Sequence, residues 1–264
     1  MTTHHVPLPG TDPVEVTVDE YGTGAAPFLL LHGGAGPQSM TGFAALLADR
    51  HPARVLVPTH PGFGGTGRPE QLTGIADLAA LYAGLIEQAD LHDVTIVGSS
   101  LGGWIAAELA LLASPRVGRV VLLDAVGIEV PGHPVADFFA LTMDEVFRLS
   151  YHDPAPFRFD PTTLPPAAQA VAAGNRAALA VYGGRAMSDP TLAGRLADVS
   201  VPVLVLWGDS DRIVDVDYGR AYAAAIPTAR FELLPRTGHL PQLETPEQAL
   251  RALLDDVTAA APAG

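Results

Sequence analysis

Three stretches of the sequence carry side chains that could act together in nucleophilic catalysis. Ser100 is the central residue of a G-x-S-x-G pattern at 98–102, Asp211 lies in a loop-like stretch at 208–214, and His239 follows a glycine. A serine hydroxyl is a weak nucleophile at neutral pH, so a histidine must take its proton and a carboxylate must orient that histidine. These three residue types therefore predict attack on a carbonyl carbon, provided that the fold brings them together.

The elements around these residues are the ones that such a site requires. The β-branched run at 94–97 predicts a buried strand, and the residues after 100 predict a helix, so Ser100 lies at a tight strand-to-helix turn. Asp211 follows the apolar strand predicted at 203–207, and His239 follows the strand predicted at 231–234. Because ligands bind at the carboxyl ends of parallel strands, the three side chains are expected at one edge of a sheet.

The order of elements predicts an α/β fold, a mostly parallel twisted sheet with helices on both faces. Residues 14–21 alternate apolar and polar side chains, which predicts a half-exposed antiparallel edge strand. Between about 128 and 190 no buried strand is evident, and proline-punctuated helical pieces are predicted at 135–149 and 167–181. We therefore expect an α/β core at 1–127 and 191–264, with a helical cap insertion at 128–190 lying over the sheet.

The composition of the 264-residue chain excludes several classes of protein. It has no cysteine, which excludes thiol catalysis and thiolate metal sites, and a net charge of −14, which argues against nucleic acid or an anionic membrane as partner. The scattered histidines lack metal-ligand spacing. No signal peptide and no apolar stretch of about 20 residues is visible. We expect a cytoplasmic protein that acts on a small molecule without a metal or cofactor. The sequence predicts no oligomeric state.

Four motifs in order resemble the α/β-hydrolase superfamily, and the resemblance covers essentially the whole chain. They are the oxyanion loop at 32–34, the turn at 98–102, the acid loop at 208–211 and the histidine turn at 238–239. The resemblance implies an α/β-hydrolase fold in which Ser100 is the nucleophile, His239 the base and then the acid, and Asp211 the carboxylate that fixes the imidazole tautomer. It also implies an oxyanion hole made by the backbone N–H groups of Gly34 and Leu101.

Residues near these motifs receive weaker assignments from the same resemblance. His32 and Gly33 are candidate substrate-binding residues, although a structural role in bracing the oxyanion loop is favoured for His32. His60 is predicted to be a solvated loop histidine, and Ser99 a spectator. Asp124 and Asp209 remain alternatives to Asp211, because Asp124 ends the preceding strand, where some members carry the acid, and Asp209 shares the Asp211 loop.

The reaction is less well defined than the nucleophile. Serine at 100 disfavours the haloalkane dehalogenases and epoxide hydrolases of this fold, which use aspartate there. A carboxylesterase for small esters is the first expectation. The second is a carbon–carbon bond hydrolase of the meta-cleavage type, because the loops at 32–37 and 211–214 resemble those of that group. Its substrate acid would need a polar partner in the cap, for which Asn175, Arg176 and Arg185 are candidates. The third is a non-catalytic ligand-binding receptor on the same fold.

Overall fold

One eight-stranded sheet, in the order β1-β2-β4-β3-β5-β6-β7-β8, forms the centre of the molecule. The computed structural model describes residues 1–10 and 12–259. The pairs β1–β2 and β2–β4 are antiparallel, and all the other neighbouring strands are parallel. The strands are β1 Thr2–Val6, β2 Val14–Tyr21, β3 Ala26–Leu31, β4 Ala53–Pro58, β5 Val94–Ser99, β6 Val117–Leu123, β7 Val203–Gly208 and β8 Ala229–Leu234.

Helices follow most of the parallel strands and lie on both faces of the sheet. Among the residues described, none of them is long and apolar enough to cross a membrane. They are α1 Gln38–Arg50, α2 Ile75–Gln88, α3 Leu101–Leu111, α4 Met143–Ser150, α5 Pro166–Gly183, α6 Leu192–Arg195, α7 Val216–Ala224, α8 Pro241–Glu244 and α9 Pro246–Ala259.

The hydrophobic core has two parts, one on each face of the sheet. Along β3, Leu29 and Leu31 pack into the part that includes α2 and α3, whereas Phe28 and Leu30 pack into the part that includes α1 and α9. Successive side chains of a strand point to opposite faces, so an apolar residue at every position is what a sheet covered on both sides requires. The predicted α/β architecture is therefore confirmed.

The edge of the sheet differs from the sequence-based expectation. The segment 14–21 is an antiparallel strand, as predicted, but it is not an edge strand, because β1 pairs along its outer side from Thr2↔Val18 to Val6↔Val14. The prediction missed β1 because four of its five residues are Thr or His and only Val6 is fully buried. A strand with so little apolar alternation has no signal that separates it from a loop.

The segment between β6 and β7, residues 124–202, contains α4, α5, α6 and short 3₁₀ turns, and none of its residues, all of which are described, forms a sheet strand. The helix predicted at 167–181 is confirmed as α5. The helix predicted at 135–149 is wrong over its first half, since α4 begins only after Thr142. The Thr142 hydroxyl accepts from the N–H of Glu145, and the Glu145 carboxylate accepts from the N–H of Thr142. This capping box fixes the start of the helix. The domain boundaries at 128 and 190 stay a prediction.

Candidate active site

The turn between β5 and α3 holds Ser100 in a conformation that few non-glycine residues adopt. Its φ and ψ are 54° and −115°. A Cβ at Gly98 would lie 2.1 Å from the carbonyl oxygen of Gly102, and a Cβ at Gly102 would lie 2.1 Å from that of Leu31. Only glycine fits at both positions, so the spacing of the pattern follows from the tightness of the turn. Strained backbone of this kind is found where a side chain must be presented in one orientation.

A chain of hydrogen bonds joins Ser100, His239 and Asp211. The Ser100 Oγ lies 2.9 Å from His239 Nε2, and His239 Nδ1 lies 2.8 Å from Asp211 Oδ2. A carboxylate can only accept, so the proton of the neutral ring lies on Nδ1, and Nε2 accepts from the Ser100 hydroxyl. All three residues are buried, with Ser100 9% exposed, His239 6% and Asp211 3%. The arrangement can transfer a proton from serine to histidine while a carboxylate stabilises the imidazolium.

Asp211 is oriented by the loop that follows β7. Its Oδ1 accepts from the backbone N–H groups of Ile213, at 2.8 Å, and Val214, at 3.2 Å, which leaves Oδ2 directed at His239. Of the two alternatives named from the sequence, Asp209 uses Oδ1 to accept from the Ser210 hydroxyl and the Thr237 N–H. Asp124 accepts from the N–H of Gly208 at 2.8 Å. Of the three carboxylates, Asp211 is the one that the structure brings into hydrogen-bond contact with the histidine.

His239 is held by contacts from two directions. Its backbone N–H donates to the carbonyl oxygen of Ser150, the last residue of α4, at 2.7 Å. The N–H of Gly238 donates to the Glu244 carboxylate at 2.6 Å. A Cβ at Gly238 would lie 2.2 Å from the Ser150 oxygen, so this contact requires glycine before the histidine. The segment between β6 and β7 therefore helps to position the histidine.

The loop after β3 lies directly beside the serine. A Cβ at Gly33 would lie 2.9 Å from the Ser100 Cβ, and a Cβ at Gly34 would lie 3.0 Å from Leu179 on α5. Leu101 is the first residue of α3, and the first N–H groups of a helix have no acceptor within it. The positions of Gly34 and Leu101 thus suit the role expected of their N–H groups, which stays a prediction.

Two histidines whose rings are in contact support this loop from within the protein. The rings of His32 and His60 lie 3.7 Å apart, and neither residue is exposed. His32 Nδ1 donates to the Gly33 carbonyl and Nε2 accepts from the His60 N–H, so neither ring nitrogen is left for a substrate. His60 Nε2 donates to the His32 carbonyl, and Nδ1 bonds the Tyr82 hydroxyl. The candidate substrate contact of His32 and the solvated position predicted for His60 are both wrong, because these rings hold the loop to α2.

This histidine pair makes stability depend on pH. Burial is the main cause that lowers the pKa of His60 to about 4, and burial together with the His60 charge lowers that of His32. In the unfolded chain these histidines bind protons below their ordinary pKa of about 6.5, whereas in the folded protein they stay neutral to lower pH. The free energy of unfolding therefore decreases as the pH falls below about 6.5. We expect the free energy of unfolding to decrease by about 2 kcal/mol between about pH 8 and about pH 5 from His60 alone.

Urea unfolding of three proteins over that pH range measures this effect. The decrease should be smaller in His60→Gln, whose amide can still donate to the His32 carbonyl. It should be unchanged in His5→Gln, which replaces an exposed histidine of β1. An equal decrease in all three proteins would contradict the assignment to the buried pair.

Comparison with known proteins decides the family of this chain. The sequence pattern of the alpha/beta hydrolase family matches residues 28–253, which include all the residues of the candidate site. The chain belongs to the alpha/beta hydrolase family. Solved structures of this fold superpose over nearly the whole molecule, among them a thermophilic esterase from Thermogutta terrifontis, with a TM-score of 0.77, 23% identity and 98% of each chain covered.

Curated relatives of this alpha/beta hydrolase include several that are named as hydrolases of 2-hydroxy-6-oxo acids. A 2-hydroxy-6-oxononadienedioate/2-hydroxy-6-oxononatrienedioate hydrolase from Cupriavidus pinatubonensis is 27% identical, with 93% of this chain and 91% of that protein covered. A 2-hydroxy-6-oxo-2,4-heptadienoate hydrolase from Pseudomonas putida is 28% identical, with 94% of each covered. A meta-cleavage product hydrolase from Pseudomonas fluorescens has the same fold, with a TM-score of 0.74, 20% identity and coverage of 94% and 95%. The family match and these relatives support a hydrolase.

The two arginines predicted from the sequence as partners of a substrate acid have other partners in this alpha/beta hydrolase. Arg176, half-buried on α5, donates to the carbonyl oxygens of Phe138, at 3.3 Å, and Phe139, at 2.7 Å, and its guanidinium lies over both rings. The Arg185 side chain is 78% exposed and pairs with Asp137 at 3.6 Å. Asn175 accepts from the N–H of Gly64 at 2.9 Å. None of these contacts brings the three side chains to Ser100.

Several contacts that shape the site could not be predicted from the sequence. Leu179 and Tyr182 of α5 cover the loops near the serine, Leu179 above Gly34 and Tyr182 through a 2.9 Å hydrogen bond to the Pro61 carbonyl. Glu244 and the Ser150 carbonyl hold the histidine turn. These residues come from elements far apart in the chain, so only their spacing in the folded protein identifies them.

Proposed function

We propose that this protein is a serine hydrolase in which Ser100, His239 and Asp211 form the catalytic triad. The observation that carries the proposal is the unbroken hydrogen-bond chain from the Ser100 hydroxyl through His239 to Asp211, at 2.9 Å and 2.8 Å. Two backbone N–H groups orient the Asp211 carboxylate. The donor and the acceptor of each hydrogen bond between the three side chains follow from this orientation.

The reaction follows from this geometry. His239 Nε2 takes the proton as Ser100 Oγ attacks the substrate carbonyl, and the oxygen that becomes negative lies against the N–H groups of Gly34 and Leu101. Removing one such donor costs about 2.7–4 kcal/mol in another serine hydrolase. The protonated histidine then gives its proton to the leaving group, an acyl-enzyme remains, and His239 activates the water that cleaves it.

We propose a vinylogous diketone acid, of the meta-cleavage product type, as the first substrate class. The support is that relatives spanning more than nine-tenths of the chain carry such names, together with the likeness of the loops at 32–37 and 211–214. Cleavage of a carbon–carbon bond by a serine triad requires a leaving group that can hold the electron pair of the broken bond. A conjugated dienolate meets this requirement, because it delocalises the pair onto oxygen, and the protonated histidine then supplies its proton.

A small carboxylic ester is the second candidate, and the contacts of the arginines favour it. The chain has no lysine, so a cationic side chain that pairs with a substrate carboxylate would have to be an arginine. Arg176 already donates to two backbone carbonyls, and Arg185 is exposed. An ester with a neutral acyl group needs no cation in the pocket.

One set of assays separates these candidates. A fluorophosphonate probe should label the wild-type protein and fail to label Ser100→Ala. Turnover of p-nitrophenyl esters of increasing chain length is then measured beside turnover of a 2-hydroxy-6-oxo-dienoate, with Ser100→Ala as the blank. A higher kcat/KM for the dienoate supports carbon–carbon cleavage, whereas turnover of the esters alone supports the esterase. Labelling without turnover of any substrate would contradict both and support the ligand-binding receptor.

The two arginines provide a matched pair of variants for the same question. If the substrate is a diketone acid, Arg176→Ala should lower kcat/KM for the acid at least about tenfold more than for a neutral ester, the equivalent of about 1.4 kcal/mol. The neutral ester controls for disturbance of the Phe138–Phe139 region. Arg185→Ala, in the same segment but exposed, should change neither value. Equal losses on both substrates in Arg176→Ala would exclude its guanidinium as the partner of a substrate carboxylate.

A further inference from the structure

Asp124, at the end of β6, is a buried acid that the proposed reaction does not use directly. It is 0% exposed, and its φ of 45° places it in the left-handed region. Its Oδ1 accepts from the N–H of Gly208, whereas its Oδ2 is buried and has no ordinary hydrogen-bond partner in the described part of the chain. A buried carboxyl oxygen without a donor is rare, so this one requires an explanation.

Two residues of the triad lie close to this carboxyl group. One oxygen of Asp124, one oxygen of Asp211 and one ring nitrogen of His239 all lie within 4.8 Å of one another. Two buried carboxylates at this separation cannot both ionise readily, because each disfavours the charge of the other and burial disfavours both charges. One of the two therefore holds a proton.

The donors around each carboxyl group decide which one holds it. Asp211 accepts three hydrogen bonds, from the N–H groups of Ile213 and Val214 and from His239 Nδ1, and these stabilise its ionised form. Asp124 accepts one, from Gly208. The Glu244 carboxylate on α8 adds a further negative charge near Asp124. Burial first, and then the charge of Asp211, raise the pKa of Asp124 well above its usual value.

We propose that Asp124 is a protonated carboxylic acid whose Oδ2–H donates to the Asp211 carboxylate. Asp124 is then a positioning residue, which acts on the serine through Asp211 and His239 and touches no substrate. Its hydrogen bond gives Asp211 a fourth donor and keeps that carboxylate ionised and aligned with Nδ1. This inference rests on the proposed function, since it assigns a role within the same triad.

Two variants and the wild-type protein test the proton on Asp124. Asp124→Asn retains a donor at the Oδ2 position and an acceptor for the Gly208 N–H, whereas Asp124→Leu has neither. The rate of fluorophosphonate labelling of Ser100 is measured against pH, because it reports serine reactivity whatever the natural substrate. We expect Asp124→Asn to label at least about tenfold faster than Asp124→Leu. We also expect Asp124→Asn to keep the pH midpoint of the wild-type protein, because a neutral group replaces a neutral group.

An infrared measurement reads the proton without activity. The wild-type protein at neutral pH should show the carbonyl band of a buried carboxylic acid, and Asp124→Asn should lack it. Absence of that band from the wild-type protein, or a midpoint in Asp124→Asn moved to lower pH through loss of a negative charge, would overturn the proposal. Equal labelling rates in folded Asp124→Leu and Asp124→Asn would also overturn it.

If Asp124→Leu does not fold, the infrared band and the Asp124→Asn midpoint decide. A wild-type protein that does not react with the probe counts against the proposed triad instead, and the infrared band still tests the proton.

Discussion

Ser100→Ala is expected to lower kcat by about four orders of magnitude or more while leaving the melting temperature close to that of the wild-type protein. The substitution removes the oxygen that attacks the substrate, and the residual rate comes from the oxyanion donors and from substrate binding. The side chain it removes is small and 9% exposed, so little packing is lost. Steady-state kinetics on the best substrate of the panel, with thermal unfolding of the same sample, measures both effects.

Ser99→Ala is the matched control for this substitution. Ser99 is adjacent in the chain and fully buried, and its hydroxyl has no hydrogen-bond partner in the described part of the protein. Removing an unsatisfied buried hydroxyl should leave kcat within about threefold of the wild-type value and should not lower stability. Loss of activity in Ser99→Ala with retention in Ser100→Ala would move the nucleophile by one residue.

Asp211→Asn is expected to lower kcat at least about a hundredfold, toward the 10⁴ measured for the same change in another serine triad. The structure gives a specific reason. The N–H groups of Ile213 and Val214 require an oxygen at the Oδ1 position, so the asparagine oxygen is held there and its NH₂ group faces His239. An NH₂ group in that position favours the tautomer with its proton on Nε2, which cannot accept the proton of Ser100.

Asp209→Asn provides the control in the same loop. The Asp209 carboxylate bonds the Ser210 hydroxyl and the Thr237 N–H but not the histidine, so its loss of activity should stay below about threefold. Measuring kcat for both variants on one substrate tests the assignment. A larger loss in Asp209→Asn than in Asp211→Asn would falsify it and leave the roles of Ser100 and His239 unaffected.

The sequence predicted most of the parallel sheet, because strands covered on both faces need continuous apolar runs such as 28–31 and 203–206. It also located the glycines and the serine of the tight turn, since that geometry excludes a Cβ. It did not predict β1, whose side chains are mostly polar. Nor did it predict that Asp124 would face Asp211. That contact depends on β6 and β7 being neighbours in the sheet, paired from Val120↔Val203 to Leu123↔Leu206.

The burial of His60 is a second feature that depends on residues distant in the sequence. A loop rich in glycine and proline is usually exposed to solvent, so the local sequence predicts an exposed histidine. No nearby residue indicates that it is buried. Its partners are Tyr82 on α2 and the main chain at His32, which are distant in the sequence. Long-range hydrogen bonds of this kind become visible only when the strand order and helix positions are known.

The backbone contacts of α4 with the acid and histidine loops bear on how this enzyme could be re-engineered. The carbonyl of Leu149 accepts from the N–H of Arg212 at 3.0 Å, and that of Ser150 accepts from the N–H of His239 at 2.7 Å. A chimera that exchanges the whole segment between β6 and β7 with that of a homologue would also exchange these two acceptors. Grafts that aim to alter substrate preference should therefore keep residues 149–151 of the recipient and place the junctions outside them.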